Sequence, residues 1–265
     1  HDPEPMHTKD AMHIGRATSG VRARRFAAAL LVGAALAGAA APARAAALVL
    51  ATARTTLSLP IHVAESQGFF ADEGVTVRVA ECIGGQRCLR QLFDGVAALA
   101  TASDLPVMFN SFSRDDYAVV ATFVTAAKDL KLIARRSAGI SAAALLQGKR
   151  VGTVKGSSSH YFLDAFLLFN NIDPQAVKVV ALVPEAMAGA LERREVDALA
   201  VWEPEGWLAV RGLGADAVVL PSPRIYTESF NLVASRRVLA AREADVVRVL
   251  RALARAQRFI AERPR

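Results

Sequence analysis

From Leu48 onward the chain alternates short apolar runs with longer stretches whose apolar positions recur every three or four residues. Leu48–Ala53 suits a buried strand. Pro60 opens a helix that closes near Gly68, since proline fits a first turn and glycine a C-cap. Asp72-Glu73-Gly74 is a turn signal, and Val75 to Val79 alternates with strand period. Arg87 to Asp94 reads as a helix closed by Gly95, Ala97–Thr101 as a strand, and Pro106 as the start of a helix toward Phe112. Ala118–Val124 and Leu130–Ala134 follow as strands. A second series begins after Gly139. It predicts strands at Val151–Val154, Val177–Leu182, Ala198–Trp202 and Ala217–Leu220, with helices over His160–Asn170 and Pro184–Arg194. In the first of these helices Tyr161, Phe162, Ala165, Phe166 and Phe169 are expected to share one face. Phe230–Ala234 reads as a strand returning to the first series, and Ala240–Ala261 as a long helix.

Strands alternating with helices predict an α/β fold whose sheets are mixed and mostly parallel. A second series inserted into the first predicts two lobes with a ligand cleft between them. The expected division is 46–135 with 232–265 as lobe 1 and 136–231 as lobe 2. Ligands of open α/β sheets sit beyond the carboxyl ends of strands. The loops after Ala53, Thr101, Val154 and Trp202 are therefore the candidate site.

Residues 1–45 read differently. Arg16, Arg22, Arg24 and Arg25 precede an alanine-rich apolar run to Ala41, followed by Pro42 and Ala43-Arg44-Ala45. A basic segment, a short apolar segment and a small-x-small site in that order predict a signal peptide cleaved near Ala45, hence a periplasmic protein. Met6 and Met12 are both candidate starts. The net charge of the whole chain is +7. Residues 1–45 hold six of the 32 basic and three of the 25 acidic residues, leaving +4 on the remainder. No basic stripe interleaved with aromatics follows, so nucleic acid is not an expected partner. With 53% hydrophobic and 22% charged residues the chain is not a disordered one. Cys82 and Cys88, six positions apart, read as a disulfide in an exported protein, with free thiols as the alternative. No further soft or imidazole ligand adjoins them, so no metal is expected.

The candidate loops carry Arg54-Thr55-Thr56-Leu57-Ser58, Ser103-Asp104-Leu105-Pro106, Gly156-Ser157-Ser158-Ser159-His160 and Trp202-Glu203. A strand that ends in glycine and serines and turns into a helix leaves N–H groups facing open space, where the helix dipole favours an anion. Taken alone, a serine that only caps the helix is the competing reading. Arg54 suits a bidentate pair with a carboxylate or sulfonate, and equally suits the surface. Trp202 can stack on a ligand or fill the interlobe core. Glu203 can accept from a ligand amine or make an interlobe salt bridge.

Seven segments then carry a resemblance. They are Ala64-Glu65-Ser66-Gln67-Gly68-Phe69-Phe70 with Glu73-Gly74, Gly84-Gly85, Thr101 to Pro106, Leu146 to Val151, Lys155 to His160, Val196-Asp197-Ala198, and Val201-Trp202-Glu203-Pro204. In order and spacing the chain from Leu48 to Arg265 resembles the periplasmic substrate-binding proteins of ABC transporters in the sulfonate/nitrate/taurine class, with their thiamine-pyrimidine relatives. The resemblance implies a type II periplasmic-binding fold with crossings near Ile133–Arg136 and Phe230–Ala234. It also implies a monomer that opens without ligand, closes on a small anionic solute, and delivers it to a membrane permease and its ATPase. The serine loop would take the anionic group, opposed by the loop before Pro106. Members usually continue beyond the point matching Arg265, so an incomplete product is expected. The cysteine pair is a departure from the family pattern. A pyrimidine-precursor binder, a pyrimidine-synthase-like enzyme and a sensory domain are the alternatives. No nucleophile elbow, H-E-x-x-H, P-loop or dinucleotide fingerprint appears after residue 45, so no catalytic residue and no cofactor is expected.

Overall fold

The computed structural model describes residues 46–222 and 224–263, and the signal-peptide reading of residues 1–45 lies outside them. In chain order the elements are β1 (Leu48–Ala53), α1 (Leu59–Ser66), α2 (Phe69–Asp72), β2 (Val77–Cys82), α3 (Gly85–Phe93), β3 (Leu99–Ser103), α4 (Asp104–Ser111), β4 (Tyr117–Ala126), β5 (Lys131–Arg135) and β6 (Arg150–Thr153). They continue as α5 (Ser158–Phe169), β7 (Lys178–Ala181), α6 (Met187–Glu192), β8 (Ala198–Val201), α7 (Glu205–Leu213), β9 (Ala217–Leu220), β10 (Glu228–Ser235) and α8 (Arg236–Ala261).

Among the described residues the strands form two five-stranded sheets, ordered β2-β1-β3-β10-β4 and β7-β6-β8-β5-β9. The two orders are the same pattern. In each, the fourth position is filled by the reversed strand, antiparallel to both neighbours, and the pairs at the other end are parallel. That reversed strand is the first one made after the chain passes from the other sheet. β1 and β3 are short, small and almost wholly buried because helices cover both faces. One core cluster surrounds the first sheet, built partly from Val246, Val249, Ala252, Leu253 and Ala256 of α8 at helical spacing. Two further clusters surround the second sheet.

Several expectations change here. The strand expected to close the first series, β5, pairs with β8 and β9 in the second sheet. β10 joins the first sheet from Glu228, upstream of the expected Leu232 boundary. The crossings therefore lie at 127–130 and 221–227 rather than within Ile133–Arg136 and Phe230–Ala234. Apolar content marks a strand but does not say which sheet takes it. In α5 the buried face is Phe162, Leu163, Phe166 and Leu167, while Tyr161 and Phe169 are exposed. The leucines complete an i, i+4 stripe, and Tyr161 turns to stack edge-on against Tyr226. α7 and the first turns of α3 and α4 were not anticipated. α8 starts four residues before its expected Ala240, capped by Ser235, and is interrupted at Arg242 (φ −142°, ψ 34°). Cys82, ending β2, and Cys88, in α3, are joined as a disulfide with Cα atoms 5.6 Å apart. Among the described residues no helix is long and apolar enough to cross a membrane.

Candidate functional site

A cavity of about 310 Å³ opens between the two sheets, beyond the carboxyl ends of β1, β3, β6 and β8. Its walls include the N-termini of two helices, α3 through Gly84 to Arg87 and α5 through Ser157 and Ser158. Neither helix has a side-chain cap. The N–H groups of Gly85, Gln86, Ser158 and Ser159 precede the reach of the helical ladder and find no acceptor among the described residues. Gly84 (φ +81°) lets the chain enter α3 in a conformation most residues resist. A Cβ on Gly85 would stand 2.9 Å from the Cα of Ala102, so only glycine brings this helix end so close to β3. Together the two termini place fixed positive partial charge at the cavity, and Arg54 and Arg90 add formal charge to its lining.

Of the residues singled out from the sequence, Arg54, Thr55, Ser103, Pro106, Ser157, Ser158 and Trp202 line this cavity. Among the described residues, no ion pair or hydrogen bond engages the Arg54 guanidinium. Ser58 is fully buried, accepts from Thr52 Oγ1 at 3.1 Å and donates to the Ala53 carbonyl, which holds the loop after β1. Thr56 Oγ1 donates to Asp129 Oδ1 at 3.2 Å. Asp104 accepts from the Tyr226 hydroxyl and from the Leu105 N–H, and so ties the second crossing to α4. Gly156 gives its carbonyl to Gln86 Nε2 at 2.8 Å, and its own N–H donates to His160 Nδ1 at 3.4 Å, folding His160 back on the loop. Ser159 is fully buried and shares hydrogen bonds with Thr153 and Ser157. Glu203 pairs with Lys131 of β5 and accepts from the Trp207 N–H at 2.8 Å. Its salt bridge therefore lies inside the second half of the fold and does not span the cleft. These seven residues support the cavity from behind. A sequence run locates a loop but not which alternate side chains turn inward.

Two groups went unrecognised in the sequence. The α3 terminus was missed, although the Gly84-Gly85 pair was its signal. The carboxylates of Asp129 and Glu228, at the two crossings, also line the cavity. Burial raises Asp129 to about 6, against the lowering pull of the Thr56 hydroxyl and Lys131. Burial, then the negative charge of Asp129, pushes Glu228 up to about 7.

The sheets touch across the cleft. Ser158 Oγ donates to Ser103 Oγ at 2.7 Å, Thr55 Oγ1 to the Glu203 carbonyl at 3.1 Å, and Gln86 to the 155 and 156 carbonyls. Arg87 pairs with Glu185 at the rim, holding that carboxyl below its usual range. These contacts join the two halves of the fold around the cavity.

Two α/β lobes meeting on a cavity lined by helix N-termini define a binding-protein architecture. The comparisons agree. The chain matches the NMT1/THI5 like family over residues 55–265 and belongs to it. The taurine-binding periplasmic protein of Escherichia coli (strain K12) is 30% identical over 175 residues, covering 64% of this chain and 52% of that one. The chain spans about half the length of the curated relatives it matches. Among solved structures, the periplasmic aliphatic sulphonate binding protein SsuA from Escherichia coli superposes with TM-score 0.67 at 22% identity, covering 82% of this chain and 74% of its own. The alkanesulfonate-binding protein SsuA from Xanthomonas axonopodis pv. citri, bound to MOPS, gives 0.69 at 22% identity, over 82% and 75%. The fold is the type II periplasmic-binding-protein fold.

Proposed function

We propose that this chain is the periplasmic solute-binding component of an ABC importer, which holds a small anionic organic solute of the sulfonate or taurine kind, or a nitrate-like anion, between its lobes. The observation that carries the reading is the pair of uncapped helix N-termini, one from each lobe, converging on one cavity. An anion bridging them gains backbone hydrogen bonds from both lobes only when they are closed, so binding and closure are linked. The closed surface would be what the permease and its ATPase recognise. The lobes would divide at 127–130 and 221–227, with those crossings as the hinge. The chain would bind without turnover, and His160, next to the serine run, is bonded to the Gly156 N–H and not to a serine hydroxyl.

Titration calorimetry with taurine, ethanesulfonate, an aromatic sulfonate and nitrate tests the reading. At least one is expected to bind with one-to-one stoichiometry. Arg54→Ala, which removes a charge from the lining, and Gly85→Ala, whose Cβ would push the α3 terminus off β3, are each expected to weaken it about tenfold or more, the scale of a lost charge-assisted hydrogen bond. Unchanged affinity in both variants would overturn the assignment of the anion seat, and conversion of a bound compound to product would overturn the binding-only role.

A further inference from the structure

The cavity has a second, chemically opposite end. Asp129 and Glu228 are 8% and 5% exposed, and both line it. Asp129 stands within the 127–130 crossing, and Glu228 follows the 221–227 crossing as the first residue of β10. Thr56 Oγ1 satisfies Asp129 Oδ1. Asp129 Oδ2 and Glu228 Oε2 are buried with no hydrogen-bond partner among the described residues. A buried carboxylate oxygen without a donor is costly, and two that repel one another are more so.

The groups facing them relieve this only in part: Thr56 and the Glu203 N–H lower Asp129, and the Ser158 and Ser103 hydroxyls lower Glu228, yet burial still raises both. Around Asp129 stand Thr56, Lys131, Glu203 and Glu228, and Lys131 is committed to Glu203. Around Glu228 stand Asp129, Asp104, Ser103 and Ser158, and Asp104 is already occupied by Tyr226. Ser158 in turn spends its hydroxyl proton on Ser103. Asp129 Oδ2 and Glu228 Oε2 are still left without a partner within hydrogen-bond distance, and the cavity is where an N–H donor can arrive.

We infer that Asp129 and Glu228 form a subsite for the ammonium or other N–H donor group of the solute, so that the ligand is an amino-substituted anion and not a simple one. This rests on the reading of the cavity as a solute site. The ammonium sits against Oδ2 and Oε2 on the hinge side. The anionic group keeps its place between the α3 and α5 termini, with Arg54 and Arg90 in the same lining. A ligand of this kind also bonds at both crossings, so charge pairing and hinge position are set by the same contacts.

Calorimetry with matched pairs tests the inference: taurine against ethanesulfonate, and β-alanine against propionate, on the wild type, Asp129→Asn and Glu228→Gln. Expected is a preference of about tenfold or more for the amino member in the wild type. Each variant is expected to lower that preference by about tenfold while ethanesulfonate binds as well or better. Taurine affinity should also rise between about pH 6 and 8 with measurable proton release, a signature a purely structural carboxylate pair does not give. Equal affinity within both pairs in the wild type, or an undiminished amino preference in both variants, overturns the inference while leaving the proposed anion binding intact. If no compound of either pair binds, both fall. Thermal melting of the isosteric variants shows whether they fold.

Discussion

Glu228 links the stability of the protein to pH in a direction opposite to that of a salt-bridged acid. Its folded value, about 7, lies above the ordinary glutamate value of 4.5. The folded state therefore binds the proton more tightly than the unfolded chain. The stability this contributes is fully present below about pH 4.5 and is lost as pH rises through about 7, to the extent of roughly 3 kcal/mol. Asp129, raised to about 6, acts in the same sense. The wild type without ligand is expected to resist urea better at pH 5 than at pH 8, and Glu228→Gln to flatten that difference and to be the more stable protein at pH 8. Denaturation midpoints at the two values check this, and an equal slope in wild type and variant would contradict it. Neither acid was legible in the sequence. A lone aspartate in Lys128-Asp129-Leu130 or glutamate in Thr227-Glu228-Ser229 looks like any solvated turn, because its burial comes from the other crossing, about a hundred positions away along the chain. Arg54, Ser103, Ser157 and Ser158 were legible, since each ends or follows a strand whose carboxyl terminus had to face the cleft.

Among the elements, α3 ties most of the site together. Its first turn supplies Gly85 and Gln86 to the cavity and Gln86 to the opposite lobe, and its second turn is bound through Cys88 to the end of β2. Replacing both cysteines by serine is expected to cost about 2 kcal/mol of stability, the scale for closing a loop so short. Taurine affinity is expected to fall with it, because the helix end then loses its covalent tie to β2. Mass spectrometry of the intact protein without reductant should show the loss of two hydrogens. A free-thiol mass, or an unaltered urea midpoint in the variant, would contradict the expectation. The sequence revealed nearly every strand and helix because apolar period and glycine or proline punctuation agree along most of the chain. It misplaced β5 because partner choice is a property of the fold: Leu132, Ile133 and Ala134 are as apolar as a strand of either sheet requires.

At the scale of the whole molecule, closure rests on few bonds. Ser158 to Ser103, Gln86 to Gly156 and Arg87 to Glu185 join the lobes, and the last is at the exposed rim, where such a pair is worth little. A ligand bonded to both lobes is therefore expected to dominate the closed population. Small-angle scattering should show a smaller radius of gyration with saturating taurine than without it, and Gln86→Ala/Arg87→Ala should widen the gap by opening the ligand-free form. An identical radius in both conditions for wild type and variant would contradict closure as the binding response.

The reversed strand in each sheet also sets an order of events as the chain emerges. β5 through β9 are contiguous, so the second sheet has all its strands as soon as Leu220 is available. β4 is different: within its sheet it is hydrogen-bonded only to β10. It must wait with both edges unpaired while the whole second sheet is threaded after it. During that interval the half-built first sheet is the vulnerable species, exposed to aggregation and to any chaperone that reads a bare strand edge.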